Sequence, residues 1–101
     1  MTTPRPEGSF VALITPMNAD SSIDFEGFRT LFQFHEENGT SALLIMGSTG
    51  EVSMLTQKER HTIVHQTMKM RTGKMLIYYG CTGPTTETTI DYVAQAASEG
   101  A

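Results

Sequence analysis

The sequence predicts an α/β fold on parallel strands, with three βα units in succession. Three short apolar runs recur along the chain, each followed by a segment with apolar residues at helical spacing. The repeat is about 32 residues, the size of one βα unit. Glycine falls close behind each helical segment, where a helix needs a stop.

The chain opens with a polar lead, Met1 to Pro6. Ser9-Phe10-Val11-Ala12-Leu13-Ile14 follows as a nearly continuous apolar run stopped by Thr15-Pro16. It is predicted as a strand covered on both faces. After a loop rich in Asn, Asp and Ser, Asp24 is the predicted N-cap of the first helix, with Ile23 stapled onto Phe28. Phe25, Phe28, Leu31 and Phe32 recur at helical spacing, and Asn38-Gly39 ends the segment.

Ala42 to Met46 is the second predicted strand, and Thr56-x-x-Glu59 reads as a capping box for the second helix. Ile63, Val64, Thr67 and Met68 share one face of that helix, which is expected to end near Gly73. Met75 to Tyr79 is the third strand, and its alternation sends Tyr78 and Tyr79 to opposite faces. The loop Gly80-Cys81-Thr82-Gly83-Pro84 leads into a third helix. There Ile90, Val93, Ala94 and Ala97 fall at i, i+3, i+4 and i+7, with Gly100 as C-cap. Three parallel strands and three helices leave two sheet edges and much apolar surface poorly covered. A longer chain, truncated here before a fourth strand, is therefore expected.

Composition narrows the function classes. With 39% hydrophobic and 18% charged residues, the chain suits a soluble globular protein and not a disordered one. A formal net charge of -4 argues against a nucleic-acid partner. No apolar run approaches a membrane span, and Met1 to Pro6 holds no signal-peptide core. One cysteine, Cys81, excludes an intrachain disulfide and fits a reducing cytoplasm.

The most informative residues are Gly47-Ser48-Thr49-Gly50-Glu51, between the second strand and the second helix. Glycines there allow close backbone approach, while hydroxyls and N–H groups supply donors for a small anion. A P-loop would need a Gly-Lys-Ser/Thr ending, and a nucleophile elbow would need glycine at Met46. A Rossmann fingerprint would follow the first strand. Two readings stand: an anion grip, or a tight turn whose hydroxyls cap the backbone. Glu51 is expected to tie the loop to backbone N–H groups.

The remaining candidates are weaker. His61 and His65 lie four apart, but the residues between them lack the glutamate of HExxH, and no third ligand is evident. They read as structural histidines, His35 reads as a solvated helix end, and no metal is expected. Cys81 has no nearby base in sequence and reads as a small residue at a strand end. The seven methionines read as core filling.

Several of these motifs, in this order, resemble one known family. Gly8-Ser9-Phe10-Val11-Ala12-Leu13-Ile14-Thr15-Pro16-Met17 looks like the opening strand of the dihydrodipicolinate synthase and N-acetylneuraminate lyase family. Asp24-Phe25, Asn38-Gly39-Thr40, Gly47-Ser48-Thr49-Gly50-Glu51, Thr56-x-x-Glu59-Arg60 and Gly80-Cys81-Thr82-Gly83 extend the match to nearly the whole chain. The resemblance implies a (β/α)₈ barrel, of which residues 1–101 would hold the first three βα units. It implies a lyase that joins pyruvate, or another 2-oxo acid, to an aldehyde or releases it, through a Schiff base on lysine. It implies a carboxylate-binding Thr49, with Ser48 as binder or as a proton relay with tyrosines. It implies a homotetramer and no separate cofactor.

Three departures stand out. Synthases often have threonine where Ser48 stands, and serine there is more like the lyases. The family's Schiff-base lysine and catalytic tyrosine lie on later strands, and Lys58, Lys69 and Lys74 cannot replace that lysine by position. The loop from Thr82 to Glu87 is shorter than in many synthases and lacks an asparagine that some use to bind lysine, which argues against feedback inhibition. The competing hypothesis is a non-catalytic α/β piece that binds a small anion or assembles with a partner chain.

Overall fold

A computed structural model describes residues 7–101; the lead Met1 to Pro6 lies outside the described residues. The elements are β1 (Phe10–Ala12), α1 (Phe25–Glu37), β2 (Ala42–Ile45), a 3₁₀ turn (Val52–Met54), α2 (Gln57–Met68), β3 (Leu76–Tyr79) and α3 (Thr86–Ser98). The strands form one parallel sheet in the order β1-β2-β3, with Phe10 beside Ala42 and Ala42 beside Leu76. Right-handed crossovers between neighbouring strands put the helices on one face of the sheet, and α2 packs against both α1 and α3.

The predicted N-terminal caps form: Asp24 accepts a hydrogen bond from the Gly27 N–H at 2.9 Å, and the Thr56–Glu59 capping box is complete. Thr85, which the sequence reading did not single out, caps α3 through the Thr88 N–H. Helix α1 ends as read, with Asn38 as C-cap and Gly39 left-handed at φ 79°. In α3 the cap is Glu99, and Gly100 follows at φ 93°. Bonds from Gly100 N–H to Ala97 O and from Ala101 N–H to Ala96 O complete a Schellman stop.

The core lies between the sheet and the helices. Phe28, Leu43, Ile45 and Ile63 are fully buried, and Leu13, Phe32, Met46, Val64 and Met75 pack with them. Each such side chain contributes about 1.5–3 kcal/mol through burial. Thr67 is a polar residue buried as completely as these. Its hydroxyl donates to Ile63 O at 2.7 Å and therefore accepts from the Tyr79 hydroxyl, also at 2.7 Å. Tyr79 thus faces the helices, and burial pushes its phenol pKa up against the opposing pull of the Thr67 bond. Tyr78 turns the other way and stacks on Phe10, with ring centroids 5.9 Å apart.

Several boundaries and faces differ from the expectation. β1 is three residues long, and Phe10 on its open face is 51% exposed, so it is not covered on both faces. Leu44 and Tyr78 share that open face and are exposed as well. α2 stops at Met68, well before Gly73. In α3 the Ile90, Val93, Ala94 and Ala97 stripe is exposed, while Ala96 is buried and Tyr92 and Gln95 half-buried. No helix among the described residues is long and apolar enough to cross a membrane.

Candidate functional site

The second strand stops at Ile45 because Met46 turns into the left-handed region at φ 61°. The chain then folds over itself: the Glu51 N–H donates to Ser48 O at 3.0 Å and the Val52 N–H to Gly47 O at 3.4 Å. Glu51 is also left-handed, at φ 58°. Thus the conformational strain sits on the two residues flanking the Gly47–Gly50 segment, not on its glycines.

The glycines serve close approach, as expected of them. A Cβ on Gly50 would lie 3.1 Å from both Leu13 O and Thr15 Oγ1, and one on Gly47 would lie 3.0 Å from Leu44 Cδ2. Buried Thr15, just beyond β1, donates its hydroxyl to Gly50 O at 2.6 Å and pins the loop to the first strand. At the end of β3, Gly80 donates to Ile45 O at 2.8 Å, and a Cβ there would collide with the Met46 carbonyl. The loops after all three strands are therefore drawn together at the C-terminal edge of the sheet.

Ser48 and Thr49 stand exposed on this platform. Among the described residues neither hydroxyl has a hydrogen-bond partner, and their backbone N–H groups donate no bond. The structure thus removes the turn-capping alternative for these hydroxyls and leaves donors aimed at solvent. Two hydroxyls and adjoining N–H groups at the C-terminal end of a parallel strand can receive a carboxylate-sized anion. Glu51 does not do what the sequence suggested. Its side chain makes no cap bond, its backbone is left-handed, and the residue is exposed.

Sequence reasoning missed Arg60. It is buried, at 8% exposure, under the loops. One end of its guanidinium donates to Thr82 O at 2.9 Å, the other to Val52 O at 3.0 Å, and its plane lies 4.3 Å from the Tyr92 ring centre. A signal was available: Arg60 stands at i−3, i−4 and i−7 to Ile63, Val64 and Thr67, so it belongs to the inward stripe of α2. Beside it runs a groove of about 340 Å³ between the 3₁₀ turn and the loop from Thr82 to Pro84.

The other candidates lie apart from the loop or lack its chemistry. Burial pushes the Cys81 thiol up, with the Arg60 charge opposing, and the Sγ–H points to Tyr79 O at 3.6 Å. That is a protonated packing residue, not a nucleophile. His61 and His65 stack on each other and converge on Glu99 of α3, with His65 Nδ1 2.7 Å from Oε2 and His61 Nε2 3.6 Å from Oε1. His35 is more ordered than a solvated end, since its Nδ1 pairs with Thr40 Oγ1 at 2.9 Å. Among the described residues no three His, Cys, Asp or Glu side chains are grouped to hold a metal ion.

Known proteins are similar to this chain in sequence and in fold. A 4-hydroxy-tetrahydrodipicolinate synthase of Shewanella sp. (strain W3-18-1) is 47% identical over 73 residues, which is 72% of this chain and 25% of the relative. The chain thus spans about a quarter of the length of that curated relative. The crystal structure of dihydrodipicolinate synthase from Aquifex aeolicus superposes with a TM-score of 0.87 at 36% identity, over 93% of this chain and 32% of that one. The chloride-inhibited dihydrodipicolinate synthase from Acinetobacter baumannii, solved with pyruvate, gives 0.88 at 30% identity with the same coverage. The model of the dihydrodipicolinate synthetase family matches residues 5–101, and the chain belongs to that family.

Proposed function

We propose that this segment carries the carboxylate-binding half of the site in a pyruvate-dependent, Schiff-base lyase of the 4-hydroxy-tetrahydrodipicolinate synthase type. Residues 1–101 would then be the N-terminal part of one (β/α)₈ barrel domain. The exposed sheet face around Phe10, Leu44 and Tyr78 fits such a barrel, since further βα units would cover it. A homotetramer and a cytoplasmic setting belong to the same reading and rest on the family resemblance.

The observation that carries the reading is the pair of unpartnered hydroxyls on Ser48 and Thr49 at the C-terminal end of β2. Thr49 would receive the pyruvate carboxylate through its hydroxyl and N–H. Ser48 would hold the second carboxylate oxygen or pass a proton to a tyrosine. The 2-oxo carbon would then face a lysine on a later strand, whose amine condenses with it and releases water. The resulting Schiff base would lose a proton from its methyl group to become an enamine, whose carbon would form the bond to the aldehyde carbonyl. The Thr15–Gly50 hydrogen bond and the close approach of Gly80 to Met46 support the reading, since they would hold the donors in place before substrate arrives and leave little ordering to be done on binding.

A hydrogen bond to a charged group is worth about 1.5–3 kcal/mol. In the complete enzyme carrying this segment, Thr49→Val should therefore raise the KM for pyruvate by roughly 10- to 100-fold. Steady-state kinetics measure this directly, and an unchanged KM would remove Thr49 from the site.

A further inference from the structure

Arg60 is a buried cation with no anion beside it among the described residues. Among the described residues no carboxylate pairs with it, and its Nε is buried with no hydrogen-bond partner. Burying a charge on so few partners is costly. An apolar residue would continue the stripe of Ile63 and Val64 more cheaply. What only a guanidinium can do here is span: its planar fork reaches two carbonyls on different loops while its face lies on an aromatic ring.

Those two carbonyls define what is held. Val52 is the residue on which the anion loop closes, since its N–H bonds back to Gly47 O. Thr82 lies in the loop after β3, two residues beyond Gly80, which abuts Met46. Tyr92 fixes α3 against the same group. Loosening the fork would free the C-terminal end of the Gly47–Glu51 segment, leaving Thr15 as the side chain that still pins it.

We propose that Arg60 is a positioning residue: it clamps the loops after β2 and β3 together and so holds Ser48 and Thr49 at the substrate carboxylate. The proposal rests on the pyruvate reading given above. Carboxylate binding is used in both ground state and transition state, so losing the clamp should weaken KM and spare kcat. Lysine keeps the charge but has no fork, so Arg60→Lys separates spanning from charge.

The test uses Arg60→Lys, Arg60→Met and, in parallel, Thr49→Val in the complete enzyme. Pyruvate kinetics are measured together with amide hydrogen exchange. Both Arg60 variants should raise the pyruvate KM about tenfold with kcat within about twofold. Exchange should quicken in the 47–52 and 82–84 segments and stay unchanged in α1. Should Arg60→Met fail to fold, Arg60→Lys carries the same expectation. A normal KM in Arg60→Lys, with Thr49→Val impaired, overturns the clamp and leaves the pyruvate reading intact. Exchange that quickens equally in α1 shows a merely structural arginine and also overturns it. Quickened loop exchange with Thr49→Val unimpaired removes the pyruvate reading, and the substrate role of Arg60 with it.

Discussion

Met46 and Glu51 bracket the anion loop with left-handed backbone that neither side chain favours. A non-glycine residue in that region costs about 1–2 kcal/mol. Met46 offsets this by burial in the core, whereas Glu51 is exposed and makes no cap bond. Glycine removes the steric cost at position 51, and a β-branched residue increases it. Glu51→Gly should thus keep or slightly raise the urea midpoint, and Glu51→Val should lower stability by about 1–2 kcal/mol. Equal midpoints for the two variants would show that the turn is not strained at Glu51. The sequence made Gly47, Gly50 and the two hydroxyls legible because glycine and hydroxyl chemistry is local. It did not reveal Thr15 and Arg60, whose partners lie 35 and 22 residues away in the chain.

At the scale of elements, the starts of α1 and α2 and the stops of α1 and α3 could be read from the chain because a cap is a bond between near neighbours, whereas α2 ends at Met68, ahead of the glycine expected to stop it. Asp24, the Thr56–Glu59 box and the glycines at 39 and 100 all act within one turn of their own helix. The inward face of α3 could not be read in that way. Periodicity says that Ile90, Val93 and Ala97 share a side, not that this side meets α2. The structure turns Tyr92, Gln95 and Ala96 inward, toward Arg60 and Val64. Near its C-terminal end α3 is held to α2 by Glu99, whose carboxyl pKa is lowered chiefly by the His65 hydrogen bond. The charges of His65, His61 and Lys69 add to the effect, and desolvation opposes it. A carboxyl with a lowered folded pKa contributes stability in full above its ordinary value of 4.5, and that contribution is lost as pH falls through the lower, folded value. The stability gap between the chain and its Glu99→Gln variant should therefore be open at neutral pH and close in acid. Urea titrations of both at several pH values check this, and a gap independent of pH would mean that the ionised carboxylate contributes nothing.

Across the whole molecule the two sides of the sheet are unlike. One side holds the core, and the other leaves Phe10, Leu44 and Tyr78 in water; on the helix side, Ile90 and Val93 of α3 are exposed too. Nearly continuous apolar strands pointed to cover on both faces, and that expectation holds only for a larger α/β assembly around this sheet. The same asymmetry bears on catalysis. On the proposed reading the Gly47–Glu51 loop binds the carboxylate, and the three lysines of the chain stand apart from it in character: Lys58 in the first turn of α2, Lys69 at its C-cap and Lys74 before β3 are all exposed. A Schiff-base lysine needs an environment that strips its proton, through desolvation or a neighbouring cation. None of the three has that burial. Incubating the 101-residue chain with pyruvate and borohydride should therefore leave its mass unchanged, while a complete enzyme of this family treated alike should gain the reduced pyruvyl adduct. A trapped adduct mapped to Lys58, Lys69 or Lys74 would place the nucleophile within this segment and overturn the division of the site into a carboxylate half here and a lysine half on a later strand.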